Sequence, residues 1–156
     1  QFREKLEIIS DNFNDVFREM FGGGQAYLKL AEEDNVLDSG IDIIAQPPGK
    51  TLQSMMLLSG GERALTAIAI LFSILKMKPS PFCILDEIEA ALDDANVLRF
   101  GDYLQRFSNE TQFIVITHRK GTMEAADVLY GVTMQEAGVS KIVSVKFDEA
   151  VRDNAI

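Results

Sequence analysis

From Phe2 to Met20 the apolar residues Phe2, Leu6, Ile9, Phe13, Val16 and Met20 recur at alternating steps of four and three, the seam of an amphipathic helix. Gly22-Gly23-Gly24 ends it, because glycine carries the largest entropic cost of staying helical. A seam this short fits two readings: the end of a coiled-coil arm, or a helix docked on a domain core. Strand-like alternation replaces the helical period over residues 26–31, and a second strand reads over 41–45. The polar run Glu32-Glu33-Asp34-Asn35 separates them and Pro47-Pro48-Gly49 follows, which predicts a short antiparallel region.

Helical spacing returns over residues 61–76 with Ala64, Leu65, Ile68, Leu71, Phe72 and Leu75, and the segment 79–81 closes that helix with two prolines. The apolar run 82–85 predicts a buried strand. Asp93 or Asp94 starts the next helix, whose Val97, Phe100, Leu104 and Phe107 share one face, and Phe113-Ile114-Val115-Ile116 forms the strand after it. Two more strands are expected over 128–134 and 141–147, joined at Glu136-Ala137-Gly138, with a frayed tail over 148–156. Helices alternating with short apolar strands indicate an α/β class, with a largely parallel core sheet flanked by helices beside the antiparallel region.

A chain of 156 residues with 47% hydrophobic content can bury one ordinary core, and no second complete domain is implied. Its formal net charge of -9 argues against an electrostatic nucleic-acid binder acting alone, since that needs gathered lysine and arginine; Arg119-Lys120 is a local basic spot. One cysteine, Cys83, excludes an internal disulfide framework and fits a reducing compartment; its apolar setting predicts a buried, inert thiol. No segment is built like a secretion signal and no apolar run reaches membrane-spanning length, so a cytosolic location with no membrane partner is expected. The chain begins at Gln1 rather than methionine and reads as a piece of something longer.

Candidate chemistry concentrates in three places. Asp86 and Glu87 end a strand as adjacent carboxylates, which suits a magnesium-nucleotide site: the first assists the metal and the second orients a water. The plain alternative is a strand end that caps a turn. Ser59-Gly60-Gly61 offers backbone amides and a hydroxyl at a helix start, where an anion is favoured; the alternative is an ordinary N-cap. His118, the only histidine, follows the 113–117 strand and reaches a terminal phosphate if that strand neighbours the Asp86 strand; otherwise it is structural. With no second histidine and no cysteine pair, a zinc site is not expected. A phosphate-cradling loop of the form Gly-x-x-x-x-Gly-Lys-Ser/Thr is missing: Gly49-Lys50-Thr51 imitates its end, but Ile44 stands where the first glycine belongs and Pro47 and Pro48 remove two amides. That segment reads as a turn.

Leu58-Ser59-Gly60-Gly61-Glu62 resembles the signature motif of ABC-type ATPases, Ile84-Leu85-Asp86-Glu87 their Walker B strand, Ala91-Leu92-Asp93 their D-loop and Thr117-His118 their switch segment, in the right order. Within that superfamily the stretches 57–69, 81–96 and 116–132 resemble the bacterial structural-maintenance-of-chromosomes (SMC) family, and the match covers most of the chain. The resemblance implies residues 1–21 as the end of a coiled-coil arm, 22–150 as the C-terminal lobe of the ATPase head and 151–156 as a tail. It implies ATP and Mg2+ as cofactors, with Asp86 at the metal, Glu87 polarising the attacking water and His118 at the γ-phosphate. It also implies that Ser59, Gly60 and Gly61 contact the nucleotide of an opposite head, with Asp93 near the seam between heads. Implied partners are the N-terminal lobe that carries the missing loop, a second SMC head in a homodimer, a kleisin subunit and, through the whole complex, DNA of the nucleoid.

Two positions depart from the wider pattern. Glu62 stands where transporters have glutamine, and its side chain is expected along the first helical turn; Glu89 stands where many relatives carry aspartate, with no loss of activity inferred. Two alternatives stay open, the head lobe of another coiled-coil ABC ATPase such as a double-strand-break repair protein, and a kleisin-docking module inactive in isolation.

Overall fold

The computed structural model describes residues 1–32 and 39–146. Part of the expected polar turn after Glu32, the residue Phe147 and the expected tail lie outside the described residues.

Helix α1 (Phe2–Phe21) ends where Gly22 turns left-handed at φ 71° and the amides of Gly22 and Gly23 both donate to the Arg18 carbonyl. Gly24, at φ +81°, cannot carry a side chain, because a Cβ there would fall against the Gln46 carbonyl oxygen. The N-terminal half of the seam is open, with Phe2 exposed and Leu6 and Ile9 partly covered, while Phe13, Val16 and Met20 are buried. Phe17 and Phe21, outside the expected seam, are buried too and stack with ring centroids 4.0 Å apart. The wider stripe shows that the second half of the helix is docked on the core.

Strands β1 (Gln25–Leu30), β2 (Ile41–Gln46) and β3 (Gln53–Ser54) form a three-stranded antiparallel sheet in that order. Helix α1 lies along β1 and satisfies part of its edge: Asn14 Oδ1 accepts the Ala26 amide at 3.1 Å and Ser10 Oγ the Leu28 amide at 3.0 Å. A 3-10 turn over Met55–Leu57 leads into α2 (Gly60–Met77), whose Leu65, Ile68, Phe72 and Leu75 are buried as the spacing requires.

Strand β4 (Phe82–Asp86), α3 (Asp94–Phe107) and β5 (Gln112–Ile116) follow, and β4 pairs with β5 in parallel with Asp86 opposite Ile116. Phe72 is the hub of the core, with Phe100, Tyr103, Phe107 and Phe113 around it at 4.8–6.4 Å. Burial pushes the Tyr103 hydroxyl up to about 12. The short helix α4 (Lys120–Glu124) was not expected, and it precedes the antiparallel hairpin β6 (Val128–Glu136) and β7 (Val139–Lys146).

Two expectations change. The parallel sheet consists of β4 and β5 only, while the other five strands pair antiparallel, so the antiparallel share is larger than the alternation of helices and strands suggested. Strand β4 is not buried on both faces: Leu85 is 3% exposed, but Phe82 and Ile84 are 54% and 58% exposed. Helices of this chain cover one face of β4–β5, so alternate residues face outward. Cys83 is correspondingly half-buried rather than buried, with its thiol pushed up by that burial and so kept protonated at neutral pH.

Candidate nucleotide site

The parallel register brings the ends of β4 and β5 level, and Asp86, Glu87 and His118 stand at or just beyond those ends. Glu87 takes a left-handed conformation at φ 48°, the one non-glycine positive φ among the described residues, while its amide still donates to the Ile116 carbonyl at 2.9 Å. Such strain persists only where neighbours hold it, and it occurs most at functional turns. Glu87 Oε1 and His118 Nδ1 sit 3.3 Å apart, both more than half exposed. The condition set for His118 is therefore met: its strand neighbours that of Asp86.

Asp86 is exposed and its carboxylate has no hydrogen-bond or ion-pair partner among the described residues. No group of three or more His, Cys, Asp or Glu side chains forms a ready-made cage there among the described residues. A free carboxylate at a strand end still suits Mg2+, which keeps water and phosphate oxygens as its other ligands and needs only one or two protein carboxylates.

A second cluster forms around the start of α2. Ser59 is the N-cap in a full capping box: its hydroxyl accepts the Glu62 amide at 3.4 Å, and Glu62 Oε2 takes the Ser59 amide at 3.1 Å. The Ser59 hydroxyl also donates to Glu62 Oε2 at 2.7 Å. Lys50 Nζ bridges to the same carboxylate at 2.8 Å, so the Gly49-Lys50-Thr51 segment does form a turn and its lysine serves Glu62. The Lys50 ammonium, helped by the Ser59 contacts and opposed by burial, holds the Glu62 carboxyl below the usual glutamate range. Glu62 thus lies along the first turn, as expected.

The alternative readings of Ser59 and Asp93 as caps are also realised. Asp93 caps α3, its Oδ1 accepting the Asn96 amide at 2.8 Å. Yet both caps line one open pocket together with Gly61, Glu62, Ala91 and Arg99, and a Cβ added at Gly61 would come into van der Waals contact with the Ala91 carbonyl at 3.4 Å. Gly60 has open space where a Cβ would stand. The serine-glycine turn and the loop before Asp93 line one pocket, whereas Glu87 and His118 form their own pair.

Sequence reasoning missed three participants. Arg99 caps the end of α1 through the Phe21 carbonyl at 3.1 Å while lining the serine-glycine pocket. Lys50, in the turn, is the second, through its ion pair with Glu62. Glu89 is the third, 1% exposed and bonded to Thr117 and Thr122.

Carboxylate and imidazole are paired at adjacent parallel strand ends, and a serine-glycine helix start lines a separate pocket, an arrangement that suits phosphate and magnesium chemistry. Residues 6–141 match the model of the RecF/RecN/SMC N terminal domain, and the chain belongs to that family. Among curated relatives it is 66% identical over 149 residues to the Chromosome partition protein Smc of Bacillus subtilis, covering 96% of this chain and 13% of that protein. A solved structure from work on ATP-driven dimerization and DNA stimulated activation of SMC ATPases superposes with TM-score 0.86 at 44% identity, covering 98% of this chain and 92% of the other. The Smc head domain of Pyrococcus furiosus, solved with an extended coiled coil and bound to the C-terminal domain of ScpA, gives TM-score 0.85 at 44% identity over 97% of this chain and 38% of the other. The α/β fold is thus that of an SMC head. Among the described residues no helix is long and apolar enough to cross a membrane.

Proposed function

We propose that this chain is the C-terminal lobe of an SMC ATPase head, residues 22–150, with residues 1–21 the end of the coiled-coil arm, acting in chromosome partition at the nucleoid. The observation that carries the reading is the Glu87–His118 pair at level strand ends, beside a free Asp86 and apart from the Ser59–Asp93 pocket. In this reading Glu87 orients the attacking water and His118 reaches the γ-phosphate. With Glu87 ionised, Nδ1–H donates to it, and a donor bond from Nε2 to phosphate then requires the imidazolium. Asp86 assists Mg2+, which supplies charge neutralisation of the phosphates when bound. Ser59, Gly60 and Gly61 contact the nucleotide of an opposite head across the seam near Asp93.

The outward face of β4–β5 supports the need for a further segment. Phe82, Ile84, Ile114 and Ile116 are each about half exposed, an apolar patch that a monomeric domain rarely leaves bare. The N-terminal lobe, bringing the phosphate loop, is the occupant this reading assigns, so the chain alone is inactive. The relatives' shared name, Chromosome partition protein Smc, favours this reading over a repair ATPase. Kleisin docking is compatible with it and draws support from the ScpA-bound relative; DNA is engaged by the whole complex rather than by this acidic chain. Ser59→Arg in the reconstituted head tests the trans assignment: nucleotide binding within one head is retained and ATP-dependent dimerisation, read by sedimentation, is lost. A variant that still dimerises contradicts it.

A further inference from the structure

His118 and Glu87 are exposed side chains on loops, and exposed side chains do not hold a 3.3 Å contact unaided. What stands beneath them is a buried carboxylate. Glu89, two residues beyond Glu87, accepts at Oε1 from the hydroxyls of both Thr117 and Thr122, the latter at 3.1 Å. Thr117 Oγ1 in turn accepts the Arg119 amide at 3.0 Å, so the backbone on both sides of His118 is fixed through one oxygen atom. Arg119 adds a 2.8 Å bond to Asp94, at the start of α3. In the turn after β4, the Leu92 amide donates to the Glu89 carbonyl at 2.9 Å, which ties the same residue into the loop leading to Asp93.

We propose that Glu89 is a positioning residue: its buried carboxylate clamps the 117–122 segment to the 87–93 loop and thereby holds His118 against Glu87. The proposal rests on the ATPase reading of the site for its catalytic consequence, but the clamp itself is a property of this chain. The expense of burying this carboxylate marks it as more than packing. Its Oε2 is buried without a hydrogen-bond partner among the described residues, a cost that folds tolerate chiefly where the group is needed. An apolar residue of similar size would fill the space and anchor nothing.

The experiment uses two readouts. In the reconstituted ATPase, Thr117→Val keeps the side-chain shape and the Glu89–Thr122 bond while removing one arm of the clamp; kcat falls about tenfold with KM for ATP within about twofold, and Thr117→Ser restores it. Glu89→Ala acts in the same direction, and Glu89→Gln, which keeps an acceptor, retains most of the rate. In this chain His118 is the sole histidine, so its imidazole resonance is unambiguous: it shifts and broadens in Thr117→Val and Glu89→Ala, and stays in place in Thr117→Ser. If the reconstituted protein hydrolyses nothing even as wild type, the ATPase reading fails and the imidazole resonance alone decides the clamp. An unchanged His118 resonance in Thr117→Val and Glu89→Ala overturns the proposal, as does an unchanged kcat in an active enzyme.

Discussion

The two sides of this molecule are finished to different degrees. Helices α1, α2 and α3 converge on Phe13, Phe17, Phe72 and Phe100, each 0% exposed. Across the β4–β5 sheet the opposite face presents Phe82, Ile84, Ile114 and Ile116 to solvent, and the β6–β7 hairpin presents Tyr130, Val132, Met134 and Ile142 at 64–72% exposure. One side is packed like a complete domain. The other has the apolar content of a core and, among the described residues, no cover. Asp86, Glu87 and His118 hang from the strand ends at the edge of that open side, so in the proposed reading the chemistry falls at the boundary between what this chain builds and what the N-terminal lobe brings.

Substitutions on the two sides should therefore separate. Phe72→Ala, at the aromatic hub, is expected to cost about 3–5 kcal/mol in chemical denaturation. Ile84→Ser, on the open face, is expected to change the stability of the isolated chain by less than about 1 kcal/mol while weakening association with the completing lobe. Equal losses at both positions would remove the contrast. At the boundary, Glu87→Gln in the reconstituted ATPase is expected to lower turnover by about a hundredfold, with nucleotide binding and head engagement preserved. Turnover unchanged by that variant would take Glu87 out of the water-orienting role.

Smaller effects sharpen the picture of the finished side. Gly24→Ala combines a positive φ with a clash against the Gln46 carbonyl and is expected to cost more than about 1 kcal/mol by thermal unfolding. A Gly49→Ala control, also at positive φ but with open space around it, is expected to cost less. Smallest is the acid dependence contributed by Glu62. Its carboxyl is held low in the folded protein, so its contribution is present above the unfolded-state pKa and is lost as pH falls through the folded one. Urea titrations from neutral pH into the acid range are expected to show that contribution, below about 1 kcal/mol, vanish in Lys50→Met.

Much of the finished side was legible from spacing. The faces Leu65, Ile68, Phe72 and Val97, Phe100, Leu104 follow from a 3.6-residue period that only burial of one helix side explains. Phe17 and Phe21 escaped because a heptad seam is narrower than the stripe a helix buries on a globular core. The open face of β4 was not legible, since an apolar run reads the same whether its outer side is covered by this chain or another. Strand β3 and helix α4, two and five residues long, lack room for any period. At the site, motif order located Asp86, Glu87 and His118, while the Glu89 clamp joins residues 28 and 33 positions apart and leaves no local pattern to read.

The most direct test of the central claim is ATP turnover by this chain alone and after addition of the N-terminal lobe, in the same buffer with magnesium. The account predicts no hydrolysis by the chain alone and hydrolysis, with ATP-dependent dimerisation, in the combined sample. Robust hydrolysis by the chain unaided would contradict it.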